Sequence, residues 1–327
     1  MNAFEFSSPR SVAEALELMD HEGAVAHAGG VDLLDRLKER LEAPSRLVAL
    51  REVKELVGIK DDQATGLTLG ALTRVAEIAE SPLIRDRYPA LAEAASHVGT
   101  PNVRNMATLG GNLAQRPRCW YFRNELFTCK KRGGATCFAR EGENEHHAIF
   151  GNTRCAMVHP STLATVLVAL DASLTLQSKS GTRKVKLEDF FTAPEKDLLK
   201  ETVLMPRELI TRLTLPAPAA NTRSAYLNQG ARESFDWPIA DVAVMLTFAG
   251  KKVTGARVIL GAAAAVPYRA SAAEAVLIGK EVEVVVAKAA GAASMQGAKP
   301  LAHNRHKVEI FKAVVARAVL AAAGEPS

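Results

Sequence analysis

The sequence predicts an α+β protein of two or three domains, and three observations carry that prediction. The chain has 327 residues, 48% hydrophobic and 24% charged, a globular composition on a chain longer than one core usually serves. Short apolar runs alternate with amphipathic helical stretches through the first part of the chain. The last hundred or so residues place their strands first and their helices afterwards, as α+β domains do.

Each element has a local reason. Ser11 can cap a helix whose apolar residues Val12, Ala15, Leu16 and Met19 share one face. Ala24 to Ala28 reads as a short strand, followed by Gly29-Gly30 and an amphipathic helix over 32–41. Leu47 to Leu50 closes this compact unit, residues 1–53. A second unit, 54–218, holds a strand at 67–71 and helices over 73–80 and 89–98. A glycine-rich loop follows at 108–112, then a polar segment, a buried helix over 163–170 and strands at 173–177, 183–187 and 209–215. Pro216 to Asn221 reads as a linker. A third unit, 222–327, has strands at 224–229, 239–249 and 253–260, then alanine-rich helices over 271–278, 282–293 and 304–323.

Charge and composition exclude several functions. The net charge is +5 and aromatics are 5% of residues, so neither the charge nor the stacking surface of a nucleic-acid binder is present. No apolar run reaches the ~18 residues of a membrane span. The N-terminus has Glu5 and no basic-then-apolar run, so no export signal on this chain is expected.

The cysteines are the first pointer to chemistry. All four, Cys119, Cys129, Cys137 and Cys155, lie in one window, with nine, seven and seventeen residues between them. No CxxC pair exists, which excludes a zinc ribbon or a thioredoxin-like motif. The two Gly-Gly pairs are the second pointer. Glycine lets a backbone approach an anion closely, and free N–H groups there favour phosphate. Gly29-Gly30 fits that use, although Asp32 could simply cap the following helix. Gly110-Gly111 is flanked by Thr108 and Asn112, which add side-chain donors. Neither pair fits a GxGxxG or P-loop pattern, but two such loops could clamp a pyrophosphate from both sides.

These segments resemble a known family. His27-Ala28-Gly29-Gly30-Val31-Asp32-Leu33-Leu34 resembles the AGGTDLL loop of the FAD-binding subunits of molybdenum hydroxylases, the xanthine dehydrogenase and carbon monoxide dehydrogenase family. Val103 to Asn112 is similar to its VRNxGTIGGN segment, and His159-Pro160-Ser161-Thr162-Leu163-Ala164 to its HPSDLA segment. Residues 201–204, 208–210 and 215–216 resemble the segment closing its flavin domain, and the likeness runs on through Phe235-Asp236-Trp237-Pro238. The resemblance implies two subdomains clasping FAD, then a C-terminal domain with a three-stranded antiparallel sheet and helices. It implies flavin contacts at Ala28, Gly29, Gly30, Val31, Asp32, Leu33, Thr108, Gly110, Gly111, Asn112 and Thr162. This chain departs from the pattern where Val31 replaces a Thr, Thr162 an Asp that bonds the flavin's sugar chain, and Ala107 a Gly. Asn228 stands where some relatives carry a Lys.

Between the GGN and HPSTLA segments this chain has an insertion, at about 115–156, and it holds every cysteine. It resembles the insertion in the flavin subunits of bacterial aldehyde oxidoreductases and of 4-hydroxybenzoyl-CoA reductase, where it holds a [4Fe-4S] cluster. The resemblance therefore implies Cys119, Cys129, Cys137 and Cys155 as metal ligands. Four thiolates complete the ligand set of one cubane, and the segment's eight Lys or Arg against four Glu suit an anionic cluster. A structural Zn–Cys₄ site would use the same four residues. His146, His147 and His159 are expected at the surface.

The resemblance further implies an oxidoreductase subunit with no hydroxylation site of its own. Its partners would be a molybdopterin-binding large subunit and a [2Fe-2S] small subunit, its cofactors FAD and a [4Fe-4S] cluster, and its product electrons for an external acceptor. An aldehyde oxidoreductase is the expected complex. A xanthine dehydrogenase-like or hydroxybenzoyl-CoA reductase-like enzyme, or a non-redox scaffold with a zinc loop, are the alternatives. The expected location is cytoplasmic, or periplasmic by co-export with a signal-bearing partner.

Overall fold

The computed structural model describes residues 1–62, 66–233 and 235–325. The first unit contains β1 (Glu5–Ser7), α1 (Val12–Met19), β2 (Ala24–His27), α2 (Leu33–Lys38) and β3 (Arg46–Ala49). Its strands form a parallel sheet in the order β1-β3-β2. Ser11 does cap α1, its Oγ accepting the Glu14 N–H at 3.1 Å, and Ala15, Leu16 and Met19 are buried. β1 is three residues long with Glu5 exposed, too short to show a pattern.

The second sheet is antiparallel and five-stranded. Its strands are β4 (Ile59–Asp62), β5 (Gly66–Gly70), β6 (Ser173–Ser178), β7 (Gly181–Lys186) and β8 (Leu209–Leu215), in the order β4-β5-β8-β6-β7. Between β5 and β6 come α3 (Val75–Glu80), α4 (Pro82–Arg87), α5 (Pro89–Ser96), α6 (Pro101–Met106), α7 (Leu109–Leu113), α8 (Trp120–Arg123) and α9 (Thr162–Ala169). The short helix α10 (Leu187–Phe190) follows β7. The sequence reading does not anticipate α4 and α6; each begins at a proline, as the expected α5 also does. Proline fits the first helical position, where its missing N–H would have no partner anyway. The Gly110-Gly111 loop expected from the sequence is in fact the first turn of α7.

The C-terminal sheet comprises β9 (Thr222–Gln229), β10 (Ala240–Ala249), β11 (Lys252–Gly261) and β12 (Tyr268–Arg269). It is antiparallel in the order β12-β11-β10-β9, so it has four strands where three were expected. The fourth is a two-residue edge pairing, which no alternation can announce. The helices α11 (Ser271–Leu277), α12 (Val284–Ser294) and α13 (His306–Ala323) join this sheet in one core around Val244, Val258, Phe311 and Val315.

Helix α9 ties the units together. All eight of its residues are buried, because it packs on β10 and β11 as well as on its own unit. Leu163, Val166 and Leu167 share a core with Leu69, Leu91 and Leu213 and with Tyr226, Ala243 and Ile259. Residues at its N-terminus are therefore held by two units at once. Among the described residues no helix is long and apolar enough to cross a membrane.

Candidate cofactor sites

A cavity of about 370 Å³ lies where the first two units meet the C-terminal one. Residues 28–33 form one wall, Thr108, Gly111 and Asn112 another, and Thr162 and Trp237 close it. Ten of the eleven residues expected at the flavin thus converge. The eleventh, Gly110, does not line the cavity. It packs against Ala71, whose carbonyl accepts the Gly110 N–H at 2.8 Å. Asn228 does not line it either.

The first wall offers unspent donors. Among the described residues, the N–H groups of Gly29, Gly30, Val31 and Asp32 have no hydrogen-bond partner. Gly30 has φ +74°, a left-handed conformation that favours glycine. A Cβ on Gly29 would stand 1.8 Å from the Met106 carbonyl oxygen, so the loop lies directly on the end of α6.

The second wall is locked by side chains. Thr108 caps α7, its Oγ1 accepting the Gly111 N–H at 3.3 Å. The Ser161 hydroxyl donates to Asn112 Oδ1 at 2.6 Å and accepts the Ala164 N–H at 3.0 Å, so one side chain both caps α9 and pins Asn112. His159 Nδ1 accepts the Ser161 N–H at 3.3 Å. Burial pushes this histidine down to about 3, so it is neutral and carries its proton on Nε2. Its ring meets Phe191 edge-on at 4.4 Å. Behind Thr162, the Tyr226 hydroxyl donates to Asp241 Oδ2 at 3.3 Å, and burial raises Asp241 to about 7.

Asp32 does not cap α2: its side chain makes no capping bond. It is instead the hub between the cavity and the cysteine segment. Oδ1 accepts from Arg123 Nη2 at 2.5 Å; Oδ2 accepts from Arg36 Nε at 3.0 Å and from the Arg116 N–H at 3.1 Å. Burial pushes the carboxyl up, and the summed charge of Arg123, Arg36 and Arg118 pulls it back below the ordinary carboxylate range. Arg116 in turn pairs with Glu201 at 3.0 Å and Glu42 at 3.3 Å.

The four cysteines are free thiols, and all four line one small cavity. Cys119, Cys129 and Cys137 each stand immediately before a single helical turn, at α8 and at the 3₁₀ turns Lys130–Arg132 and Phe138–Arg140. Burial pushes the Cys119 thiol up to about 11. The Cys155 thiol hydrogen-bonds Cys137, which lowers Cys137 and raises Cys155. Lys131 is buried beside them, donating to the carbonyls of Leu198 at 2.9 Å and Lys200 at 3.2 Å. Among the described residues, no three His, Cys, Asp or Glu side chains form a group placed to hold one metal ion.

Two histidines depart from expectation. His146 is exposed, but His147 and His159 are buried. His147 Nε2 lies 3.2 Å from Cys119 Sγ, and burial lowers its basicity to about 4. The C-terminal unit holds this stretch from behind. The buried Lys307 Nζ donates to the carbonyls of His147 at 3.1 Å and Ala262 at 2.6 Å, and the Ile149 N–H bonds the Ala263 carbonyl at 2.9 Å. Sequence reasoning missed Arg118, Lys131 and Lys307. Their neighbours in sequence give no signal, and only the fold buries Lys131 and Lys307 and half-buries Arg118.

Two family models match the chain. One, described as the FAD binding domain in molybdopterin dehydrogenase, covers residues 2–218. The other, the CO dehydrogenase flavoprotein C-terminal domain, covers 225–323. The chain is 36% identical to the FAD-binding subunit of an aldehyde oxidoreductase from Escherichia coli, over 85% of this chain and 86% of that one. It is 29% identical to the medium chain of carbon monoxide dehydrogenase from Hydrogenophaga pseudoflava, over 98% and 96%. Among solved structures, a carbon monoxide dehydrogenase from Hydrogenophaga pseudoflava superposes with a TM-score of 0.77 at 28% identity, covering 100% of this chain and 99% of that one. Quinoline 2-oxidoreductase from Pseudomonas putida 86 superposes equally well, at 26% identity over 99% and 98%. With the loops, the locked HPST segment and both domains accounted for, this chain belongs to the family of FAD-binding medium subunits of the molybdenum hydroxylases, which are oxidoreductases.

Proposed function

We propose that this chain is the FAD- and [4Fe-4S]-binding electron-transfer subunit of a heterotrimeric molybdenum hydroxylase that oxidises aldehydes. The observation that carries the reading is the convergence of four free thiols on one cavity, one residue along the chain from the wall of a second cavity built on the family's flavin loops. Substrate oxidation would take place on a molybdopterin-binding large subunit, with a [2Fe-2S] small subunit delivering electrons here. The 36% identity with an aldehyde oxidoreductase subunit supports the substrate class.

Bound FAD would supply the redox chemistry, collecting electrons and handing them to an external acceptor. The chain's own residues do the positioning. The N–H groups of residues 29–32 have no partner among the described residues and belong to the cavity wall, where a diphosphate would take them up. Thr162 and Asn112, fixed by Ser161, present a hydroxyl and an amide to the sugar chain.

Four free thiols complete the ligand set of one cubane, and a structural Zn–Cys₄ site would use the same four residues. Lys131 beside the thiols, and the hydrogen bond available from His147 to Cys119, suit an anionic cluster. Exposed Ile278, Val284 and Val285 on and beside the C-terminal helices fit a chain covered by partner subunits.

The test is reduction of the complex purified from its native host. Adding an aldehyde should bleach the flavin absorbance and add an iron–sulfur signal assigned to this chain. Flavin reduced by a purine or by carbon monoxide, and not by any aldehyde, would remove the substrate assignment. A chain recovered as a monodisperse monomer would remove the heterotrimer.

A further inference from the structure

We propose that Arg118, a residue of the cysteine segment, binds the diphosphate of the flavin dinucleotide, so that one stretch of chain serves both cofactor sites. The inference rests on the flavin reading of the larger cavity and not on the nature of the metal.

Arg118 lines the flavin cavity, while its neighbour Cys119 lines the thiol cavity. Its side chain is 24% exposed. Yet among the described residues none of its five N–H donors makes a hydrogen bond, and its Nε is buried without a partner. It has only two looser ion pairs, Nη2 to Asp32 at 3.2 Å and Nη1 to Asp35 at 3.6 Å, and the Trp237 ring against its face at 5.4 Å. A half-buried guanidinium at a cavity wall, with its Nε buried and unpartnered and no hydrogen bond from its other N–H groups, leaves room for an acceptor there.

The acceptor is anionic. Arg36, the other arginine on this wall, is already committed to Asp32 and Glu42. Asp32 is likewise already matched by Arg36 and Arg123. The charge of Arg118 is held only by its looser pairs with Asp32 and the exposed Asp35. Its ion pair with Asp32 places it beside the loop whose four N–H groups are also unspent. Backbone donors and a forked guanidinium at one place are the two devices that bind phosphate oxygens best. The Trp237 ring lies against the guanidinium and limits its swing. This residue lies outside the family's signature segments and enters the cavity from the insertion.

The test is FAD binding to the full-length chain stripped of flavin, followed by flavin fluorescence at two or more salt concentrations. Iron content is measured in parallel, so damage to the thiol site is seen separately. Arg118→Met should weaken FAD binding more than tenfold and flatten its salt dependence, because one phosphate-facing charge is gone. Arg118→Gln, which keeps polarity without charge, decides the matter if the Met variant does not fold. FAD affinity within twofold of the parent, or weakened with its salt dependence unchanged, would overturn the proposal. A parent chain that binds no FAD at all would instead sink the flavin reading.

Discussion

The two Gly-Gly segments look alike in the sequence and do opposite things in the fold. At Gly29-Gly30 the glycines release the backbone: four successive N–H groups are unspent, and Gly30 takes a left-handed φ. At Gly110-Gly111 they let the backbone pack. Leu109 and Gly110 give their N–H groups to Thr73 and Ala71, and Gly111 and Asn112 give theirs to Thr108. The first segment is a donor surface and the second a capped helical turn that presents Thr108 and Asn112. What separates them is where the N–H groups go, and spacing cannot show that.

The difference can be broken by substitution, and Gly29→Val should act most strongly. Its Cβ would meet backbone atoms of Met106, which cannot swing aside, so a loss of about 4 kcal/mol in unfolding free energy is expected, with empty flavin. Denaturant midpoints and flavin content read both effects. Stability close to the parent's would mean that the loop does not rest on α6.

Asp32→Ala comes next. It leaves Arg123 without its carboxylate and Arg36 with Glu42 alone at a poorly exposed hub, and about 3 kcal/mol should be lost. Because the hub joins the first loop to the cysteine segment, flavin and iron content should fall together. Loss of flavin with iron intact would uncouple the two sites.

Ser161→Ala tests how the second segment is held. It removes the α9 cap and the bond to Asn112, worth about 1 kcal/mol together with lowered FAD affinity. The smallest effects on stability belong to the second glycine pair. A Cβ on Gly111 meets only Thr108 Oγ1, at 3.0 Å, so Gly111→Ala should cost under about 1 kcal/mol while crowding the cavity. Gly110→Ala should do the reverse, pressing on Ala71 at 3.1 Å without touching bound flavin. Equal flavin loss in both would erase the distinction between them.

Much of the architecture was legible because it rests on patterns the chain repeats. The long strands β10 and β11 show their apolar residues plainly, and α1 has its cap and its face. What escaped was short: the three residues of β1, the two of β12, and the six each of α4 and α6. The cavity residues were legible through family resemblance, and the thiol site through cysteine crowding, since ligand number is a property of composition. Arg118, Lys131 and Lys307 were not. A buried cation looks like any surface lysine or arginine until the fold shows which carbonyls or carboxylates surround it. His147 and His159 failed for the same reason, being polar residues whose burial depends on contacts from other units.

The most direct test of the whole account is cofactor stoichiometry on one sample of the chain prepared without oxygen. Flavin, iron, zinc and acid-labile sulfide should be measured together, in the parent and with Cys155→Ser. The account predicts one FAD with about four iron atoms and four sulfides per chain, the iron lost or labile in the variant because four cysteines leave no spare ligand. One zinc per chain with no iron would contradict it.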